Sequence, residues 1–301
     1  MKILLTGANG LVGQKIKKEL AENDQVELMA TSLHPEVNPL QGRYLFQTLD
    51  ITMSWQTEEL IRRFQPHTLI NCAAQANVNR CEQEKTECLK INTEAVTELT
   101  RIANVNNIHL IQLSTDFVFA GVKTNYQEED EAAPVNYYGL AKKEAEDHII
   151  AHARKGSIIR TLLVYGYVPE MNRNNLVTWV YQSLKNGKPI RVVNDQYRMP
   201  TLGEDLAWAI GQIALMEKTG IYHISGRELM SIEEIACRTA NYFSLDAGLI
   251  TPVTSAELQE PARRPPQSGF DLLKAEKELD YIPHSFEEGL KLIEKQTDKM
   301  R

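Results

Sequence analysis

The sequence has 301 residues, of which 43% are hydrophobic and 24% charged, and its formal net charge is −7. That length suits one large domain or two intimate ones. An acidic balance without a basic run argues against nucleic acid and against an anionic membrane surface, though not against a small anionic ligand, which needs only a few local cations.

The first half alternates short apolar runs with amphipathic stretches. Residues 3–5 read as a strand, 11–20 as a helix with Leu11, Ile16 and Leu20 on its apolar side, and 26–30 as a second strand. Residues 57–64 read as a helix, 68–73 as a strand, 87–103 as a long helix and 109–113 as a strand. A helix over 138–151 and a strand over 157–160 follow. Strands alternating with helices imply crossover connections and a parallel sheet covered on both faces. The second half is less regular: helices at 176–185 and 202–216, a strand at 220–224, and a helix capped by Ser231 with Glu234 completing a capping box. The pattern predicts an α/β chain, a Rossmann-type doubly wound parallel sheet over 1–166 with a smaller C-terminal substrate-binding lobe over 167–301. Residues from about 190 to 224 are expected to return to the sheet domain. No stretch reaches the roughly 18 apolar residues of a membrane span, and Gly7, Asn9 and Gly10 interrupt the apolar start too early for a signal segment. Cys72, Cys81, Cys88 and Cys237 form no Cys-x-x-Cys pair, so a reduced cytoplasmic chain without a metal site is expected.

The first strand runs into Gly7-Ala8-Asn9-Gly10-Leu11-Val12-Gly13, which opens the first helix. Gly7 permits a tight turn, Gly10 lets the backbone approach a pyrophosphate, and Gly13 allows close helix–strand packing. The helix N-terminus offers unpaired N–H groups to the phosphates. Asn9 and Leu11 belong to the same turn. The adenine ribose should meet the end of the second strand, around Thr31 and Ser32. No Asp or Glu stands there to repel a 2′-phosphate, which tilts the cofactor toward NADP with NAD left open; the nearest arginine, Arg43, would have to come from a later loop.

Tyr138 and Lys142 share one helical face. A phenol titrates near 10 and is a poor acid or base at neutral pH; a nearby ammonium favours the phenolate and brings it into range. Tyr138 can then exchange a proton with a substrate oxygen, while Lys142 can also bind a nicotinamide ribose. Thr115, at a strand end, is the candidate third donor. Tyr137 and Lys143 lack the required spacing.

Taken in order, the Gly-rich turn, Asn71-Cys72-Ala73-Ala74, Val78-Asn79 with Glu82, Ile91-Asn92, Ser114-Thr115-Asp116-Phe117-Val118-Phe119, Glu129-Asp130 before Pro134, Tyr138 to Lys142, Val164-Tyr165-Gly166, Pro200-Thr201 with Asp205, and Arg264-Pro265 with Ser268 span nearly the whole chain. In these motifs the sequence resembles the extended short-chain dehydrogenases/reductases, and within them the dTDP-4-dehydrorhamnose reductase family. It also resembles the regulatory beta subunits of methionine adenosyltransferase, in which such a fold serves a partner enzyme.

The resemblance implies an NAD(P)H-dependent reductase of a nucleotide-linked 4-keto-6-deoxy sugar, with Thr115, Tyr138 and Lys142 catalytic. Gly7, Gly10 and Gly13 would hold the cofactor phosphates, Asp50 and Ile51 would lie near the adenine, and Ala73, Ala74 and Asn92 would line the cofactor groove. Asn175, Trp179, Arg198 and Arg264 would help bind the sugar nucleotide, an arginine fork being suited to a diphosphate. The nucleotide sugar is the expected partner, and a homodimer is open. Dehydratases of this superfamily resemble Thr-Asp-Glu where this chain has Thr115-Asp116-Phe117; Phe117 carries no proton, so a dehydratase is disfavoured and an epimerase ranks below a reductase. Asp116 has a structural role at least as readily as a catalytic one. The departures are Gln75-Ala76-Asn77 after Ala74, Arg198 where a glycine is usual, and Gly269-Phe270 after Ser268.

Overall fold

The computed structural model describes residues 1–170 and 174–298, so residues 171–173 and 299–301 of the expected lobe lie outside the described residues. Strands β1 (Lys2–Thr6), β2 (Glu27–Ser32), β3 (Tyr44–Thr48), β4 (Thr68–Asn71), β5 (His109–Thr115) and β6 (Gly156–Thr161) form one parallel sheet with the strand Gly220–His223. The order across it is β3-β2-β1-β4-β5-β6-(Gly220–His223). The chain therefore winds outward from β1 in one direction, then restarts at β4 in the other. In such a sheet the place for a ligand crevice is beyond the C-terminal ends of the strands where the order reverses, here β1 and β4.

Alternation along each strand divides the apolar residues between two faces. Ile3, Leu5, Leu28, Ala30, Ile70, Ile111 and Ile159 face one layer, built from helix α1 (Leu11–Ala21) and the helix Gly203–Leu215. Leu4, Met29, Leu69, Leu110 and Ile158 face the other, built from the helices Ser54–Phe64, Ala95–Val105 and Tyr137–His152.

The C-terminal lobe has its own core. The helix Leu176–Lys185 lies on the helix Ile232–Tyr242, and Ile190–Val193 pairs in parallel with Ile250–Val253. Tyr197–Arg198 lies between Met230–Ser231 and Gln267–Ser268. Residues 190–193 thus stay in the lobe, and the chain rejoins the sheet layer with the helix Gly203–Leu215. Ala275, Leu279 and Tyr281 pack into the sheet core as well, so the lobe is not one continuous segment.

Three local readings change. β3 was not expected; its burial is mixed, as suits an edge strand. The long helix is a run of Lys85–Leu89, a π-helical turn Lys90–Glu94, and Ala95–Val105. Ser231 accepts from Glu234 N at 2.9 Å, but the Glu234 carboxylate turns to Arg238, so only half of the capping box forms.

The helix Tyr137–His152 is tied to the sheet by a buried charge pair. Glu146 accepts from Arg160 Nη2 at 2.7 Å and from its Nε at 3.1 Å, and also from Ser114 Oγ. Arg160 Nη1 reaches the Glu128 carbonyl at 3.1 Å. Both charged side chains are almost wholly enclosed. Removing one partner of such a pair strands the other, which costs about 3–5 kcal/mol. Glu146→Ala is expected to lower unfolding stability by about that amount in urea titration, and Glu146→Leu combined with Arg160→Met to recover part of it. A loss below about 1 kcal/mol for Glu146→Ala would contradict the burial argument.

Candidate active site

β1 delivers Gly7 at the switch point with φ +71°, and a Cβ there would stand 2.6 Å from Ala73 N and 2.7 Å from Cys72 C. The turn is thus pressed against the backbone leaving β4. Gly13 is held as tightly, because a Cβ would overlap the Gly7 carbonyl oxygen. Gly10 is different. It is exposed, and a Cβ would meet only Gly7 O, at an unstrained 3.4 Å. Packing within the chain does not demand glycine there, whereas a ligand approaching the backbone does. Gly10 is the N-cap of α1 and supplies no side-chain cap, which leaves N–H groups of the first turn to face an anion. These residues fit a dinucleotide's pyrophosphate.

The side chains around this turn mostly brace it. Asn9 Nδ2 donates to the carbonyls of His34 (3.3 Å) and Pro35 (2.9 Å), and its Oδ1 accepts from Val37 N at 3.1 Å. It therefore shapes the loop after β2. Leu11 is half-buried at the start of α1. Thr31 is fully buried and donates to Leu5 O at 3.0 Å, so its side chain is turned away from any ribose; Ser32, half-buried at the strand end, is the better-placed hydroxyl. Arg43 precedes β3, at the opposite end of the parallel sheet from the crevice, so no arginine comes from that loop. Asp50 follows β3 at the crevice end, its carboxylate accepting from Thr52 N and Oγ1 at 2.9 and 2.8 Å, while Ile51 is buried.

Ala73 is half-buried and Ala74 exposed along the chain leaving β4. Asn92, expected to line the groove, is 1% exposed and spent on structure: its Oδ1 accepts from Gln75 N at 3.0 Å and its Nδ2 donates to Gln75 O at 3.0 Å. It holds the Ala73–Gln75 backbone from below, and the π-helical turn supplies the extra residue that aims it there.

Thr115 ends β5, and its Oγ accepts from Phe117 N at 3.2 Å. The helix Tyr137–His152 comes in against this strand end. Gly139 makes the approach feasible, since a Cβ would overlap Phe117 O. Asn136 caps the helix by accepting from Gly139 N at 2.8 Å, and Glu82 accepts from Tyr137 N at 3.0 Å. Tyr138 is half-buried, with the Thr115 hydroxyl near enough to its phenol to favour the phenolate and the Phe117 ring edge-on at 6.1 Å, while the Thr115 hydroxyl itself donates to Asp116 Oδ1 at 3.3 Å.

The electrostatics differ from the expectation. Burial raises the Tyr138 phenol well above its usual value, and the Asp116 carboxylate adds to the rise; only the Thr115 hydroxyl opposes it. Lys142 is 2% exposed and donates to Leu113 O at 2.5 Å, on the strand rather than on the phenol. Burial lowers its ammonium to about 8, with Glu146 and Cys72 opposing. Desolvation outweighs the tyrosine–lysine attraction that sequence spacing suggests. Cys72 abuts Gly7 and feels the charge of Lys142, so the glycine turn and the Lys142 helix approach the same end of β4.

The four expected sugar-binding residues are not brought together. Asn175 caps the helix Leu176–Lys185 in a full capping box and donates to Gly166 O at 2.7 Å. Trp179 packs on the lobe core. Arg198 is buried, 3% exposed, with every guanidinium nitrogen engaged. Arg264 is half-buried and pairs through its fork with Glu260. Of the four, Arg264 is the one charged side chain that stays partly exposed, at 28%. Sequence reasoning missed Asn136 and Gln75. An Asn just before an expected helix was a visible signal for the first, whereas only the Asn92 contact identifies the second.

The family model for the RmlD substrate binding domain matches residues 1–298. A dTDP-4-dehydrorhamnose reductase from Aggregatibacter actinomycetemcomitans is 30% identical over 97% of this chain and 98% of its own length. The methionine adenosyltransferase 2 subunit beta of Pongo abelii is 28% identical over 91% of this chain and 81% of its own. The solved structure of a dTDP-4-dehydrorhamnose reductase from Bacillus anthracis in complex with NADP superposes with a TM-score of 0.85 at 27% identity, covering 98% of this chain and 99% of that one. The match runs through both the glycine turn and the Tyr138 helix, and on that ground the chain belongs to the RmlD substrate binding domain family.

Proposed function

We propose that this protein is an NAD(P)H-dependent reductase that converts the 4-keto group of a nucleotide-linked 6-deoxy sugar to an alcohol. The observation that carries the reading is the Thr115–Tyr138 hydroxyl pair at the C-terminal edge of the sheet, with Lys142 one helical turn on and a glycine turn fit for a pyrophosphate across the same crevice. The likeness to reductases over the full chain supports it, and the NADP held by the Bacillus anthracis relative supports NADP as cofactor, with NAD open. The pyrophosphate is assigned to Gly7, Gly10 and Gly13. The adenine ribose is assigned to Ser32, and the adenine to Asp50 and Ile51. Free cysteines throughout fit a cytoplasmic setting, and among the described residues no helix is long and apolar enough to cross a membrane.

When bound, the reduced nicotinamide supplies hydride to the carbonyl carbon. Tyr138 and Thr115 then have complementary tasks. Thr115 donates to the carbonyl oxygen and polarises it. Tyr138, protonated at neutral pH as any phenol is, gives its proton to that oxygen as negative charge develops. The ammonium of Lys142 stabilises the phenolate left behind and orients the nicotinamide ribose. The raised phenol is a weaker acid than a free one, so the transfer waits on the negative charge that develops on the substrate oxygen.

The second reading, a cofactor-binding subunit of another enzyme, is favoured by the likeness to the methionine adenosyltransferase beta subunits. The two readings separate on turnover. Wild-type protein with NADPH and dTDP-4-keto-6-deoxy sugars is expected to consume the reduced cofactor, and Tyr138→Phe to lower kcat by about a hundredfold or more with cofactor affinity retained. Cofactor binding without turnover of any keto sugar would favour the subunit. Gly10→Asp is expected to abolish NADPH binding by bulk and repulsion at the pyrophosphate; calorimetry showing unchanged affinity would remove the cofactor from this turn. Lys142 is charged below about 8 and neutral above it. Reduction should therefore be flat toward neutral pH and fall as pH rises through about 8, and Lys142→Arg should move that break upward. A profile still flat well above 8 would show that the ammonium has no part in the step.

A further inference from the structure

Arg198 sits inside the protein although the carbonyls it serves, those of Tyr197 and Pro265, are backbone acceptors that water could have served at a surface. Its Nε faces Asp116 Oδ2 at 3.4 Å, Nη1 donates to Tyr197 O at 2.7 Å, and Nη2 donates to Pro265 O at 2.7 Å. Its guanidinium lies 5.7 Å from the centre of the Phe117 ring, the same ring that meets Tyr138 edge-on. The backbone of Arg198 pairs on one side with Met230 and on the other with Ser268. One side chain thus joins the end of β5 to the segment that carries Arg264.

That segment is fixed on its other side too. Asn136, the cap of the Tyr138 helix, donates to Arg263 O at 2.9 Å, and Asn79 Oδ1 accepts from Ala262 N at 3.3 Å. Gly121 leaves room for it, since a Cβ there would stand 2.6 Å from Pro265. Arg264 is next to the carbonyl that Arg198 grips. Its Nη2 donates to Glu260 Oε1 at 2.9 Å, and its Nε, which has no hydrogen-bond partner, lies 2.5 Å from Glu260 Oε2; a guanidinium that pairs with a carboxylate in this way pairs with a phosphate too. The two guanidiniums are close enough that Arg264 adds to the effect of burial in disfavouring the charge on Arg198.

We infer that Arg198 is a positioning residue: by gripping Asp116 and the Pro265 carbonyl together it holds the Arg264 fork at the rim of the Tyr138 crevice, where that fork binds the diphosphate of the sugar nucleotide. Arg198 itself does not touch the substrate. The inference rests on the reductase reading for the sugar, but its anion-binding part stands on the arginines.

The test compares Arg198→Met, Arg198→Lys, Arg264→Met and the Arg198→Met/Arg264→Met double variant. A lysine keeps a charge opposite Asp116 but lacks the fork that reaches both carbonyls. Arg198→Met and Arg264→Met are each expected to raise KM for the keto-sugar nucleotide about tenfold or more, with KM for NADPH within about twofold of wild type. The double variant should match Arg264→Met within about twofold, because Arg198 acts through Arg264. Multiplying effects in the double variant, or an unchanged sugar KM in Arg198→Met, would overturn the inference. If Arg198→Met does not fold, Arg198→Lys serves in its place and should raise the sugar KM at least about threefold; no rise overturns the inference. Wild-type protein that turns over no keto sugar defeats the reductase reading alone. The dissociation constant of thymidine 5′-diphosphate by calorimetry then becomes the readout, with the same pattern expected. No binding of that nucleotide by wild type, or binding untouched by Arg198→Lys, overturns the positioning role.

Discussion

Successive residues at the C-terminal end of β5 each hold a different part of the molecule. The Leu113 carbonyl accepts from Lys142, Ser114 donates to Glu146, the Thr115 hydroxyl meets Tyr138, Asp116 faces Arg198, and the Phe117 carbonyl abuts Gly139. A single strand end thus sets the height of the Tyr138 helix, the environment of its reactive groups and the attachment of the C-terminal lobe. The constraint is one of space. Gly139 has no Cβ, so helix and strand end touch backbone to backbone, and every side chain nearby must fit around that contact.

Burial does more of the electrostatic tuning here than neighbouring charge. The phenol of Tyr138 rises and the ammonium of Lys142 falls, both chiefly because the crevice is poorly solvated. The two shifts act differently: the phenol becomes a weaker acid, while the cation stays charged at neutral pH yet is less firmly held as a cation than a surface lysine. The buried Glu146–Arg160 pair, one helical turn beyond Lys142, supplies the rigidity that such a site requires.

The cofactor half and the substrate half are joined differently. Around the glycine turn, the braces join residues 17 to 26 positions apart: Asn92 to Gln75, and Asn9 to the loop after β2. Around the lobe, they cross long stretches of sequence: Asn136 to Arg263, Asn79 to Ala262, Arg198 to Asp116 and Pro265. This contrast explains the uneven success of reading residues from their order. Gly7, Gly10, Gly13, Tyr138 and Lys142 lie in short motifs whose spacing already implies a turn or a helical face, and a parallel sheet puts the ends of β1 and β5 that they adjoin on one edge. Thr31, Asn92, Asn175, Trp179 and Arg198 stand near the right places in the chain, yet their side chains turn to backbone or core partners.

Local periodicity and motif spacing were enough to establish the alternating strands and helices, the doubly wound sheet and the candidates for proton transfer, because those features depend on residues close together in the chain. They also placed the glycine turn on the first strand–helix joint. They could not say which polar side chains were free to meet a ligand. That depends on whether a distant carbonyl, such as that of Pro265 for Arg198, has already claimed the hydrogen bond. Nor could spacing reveal that Lys142 would point to the Leu113 carbonyl, since burial and a partner on another strand, and not the helical repeat, choose the direction of a long flexible side chain.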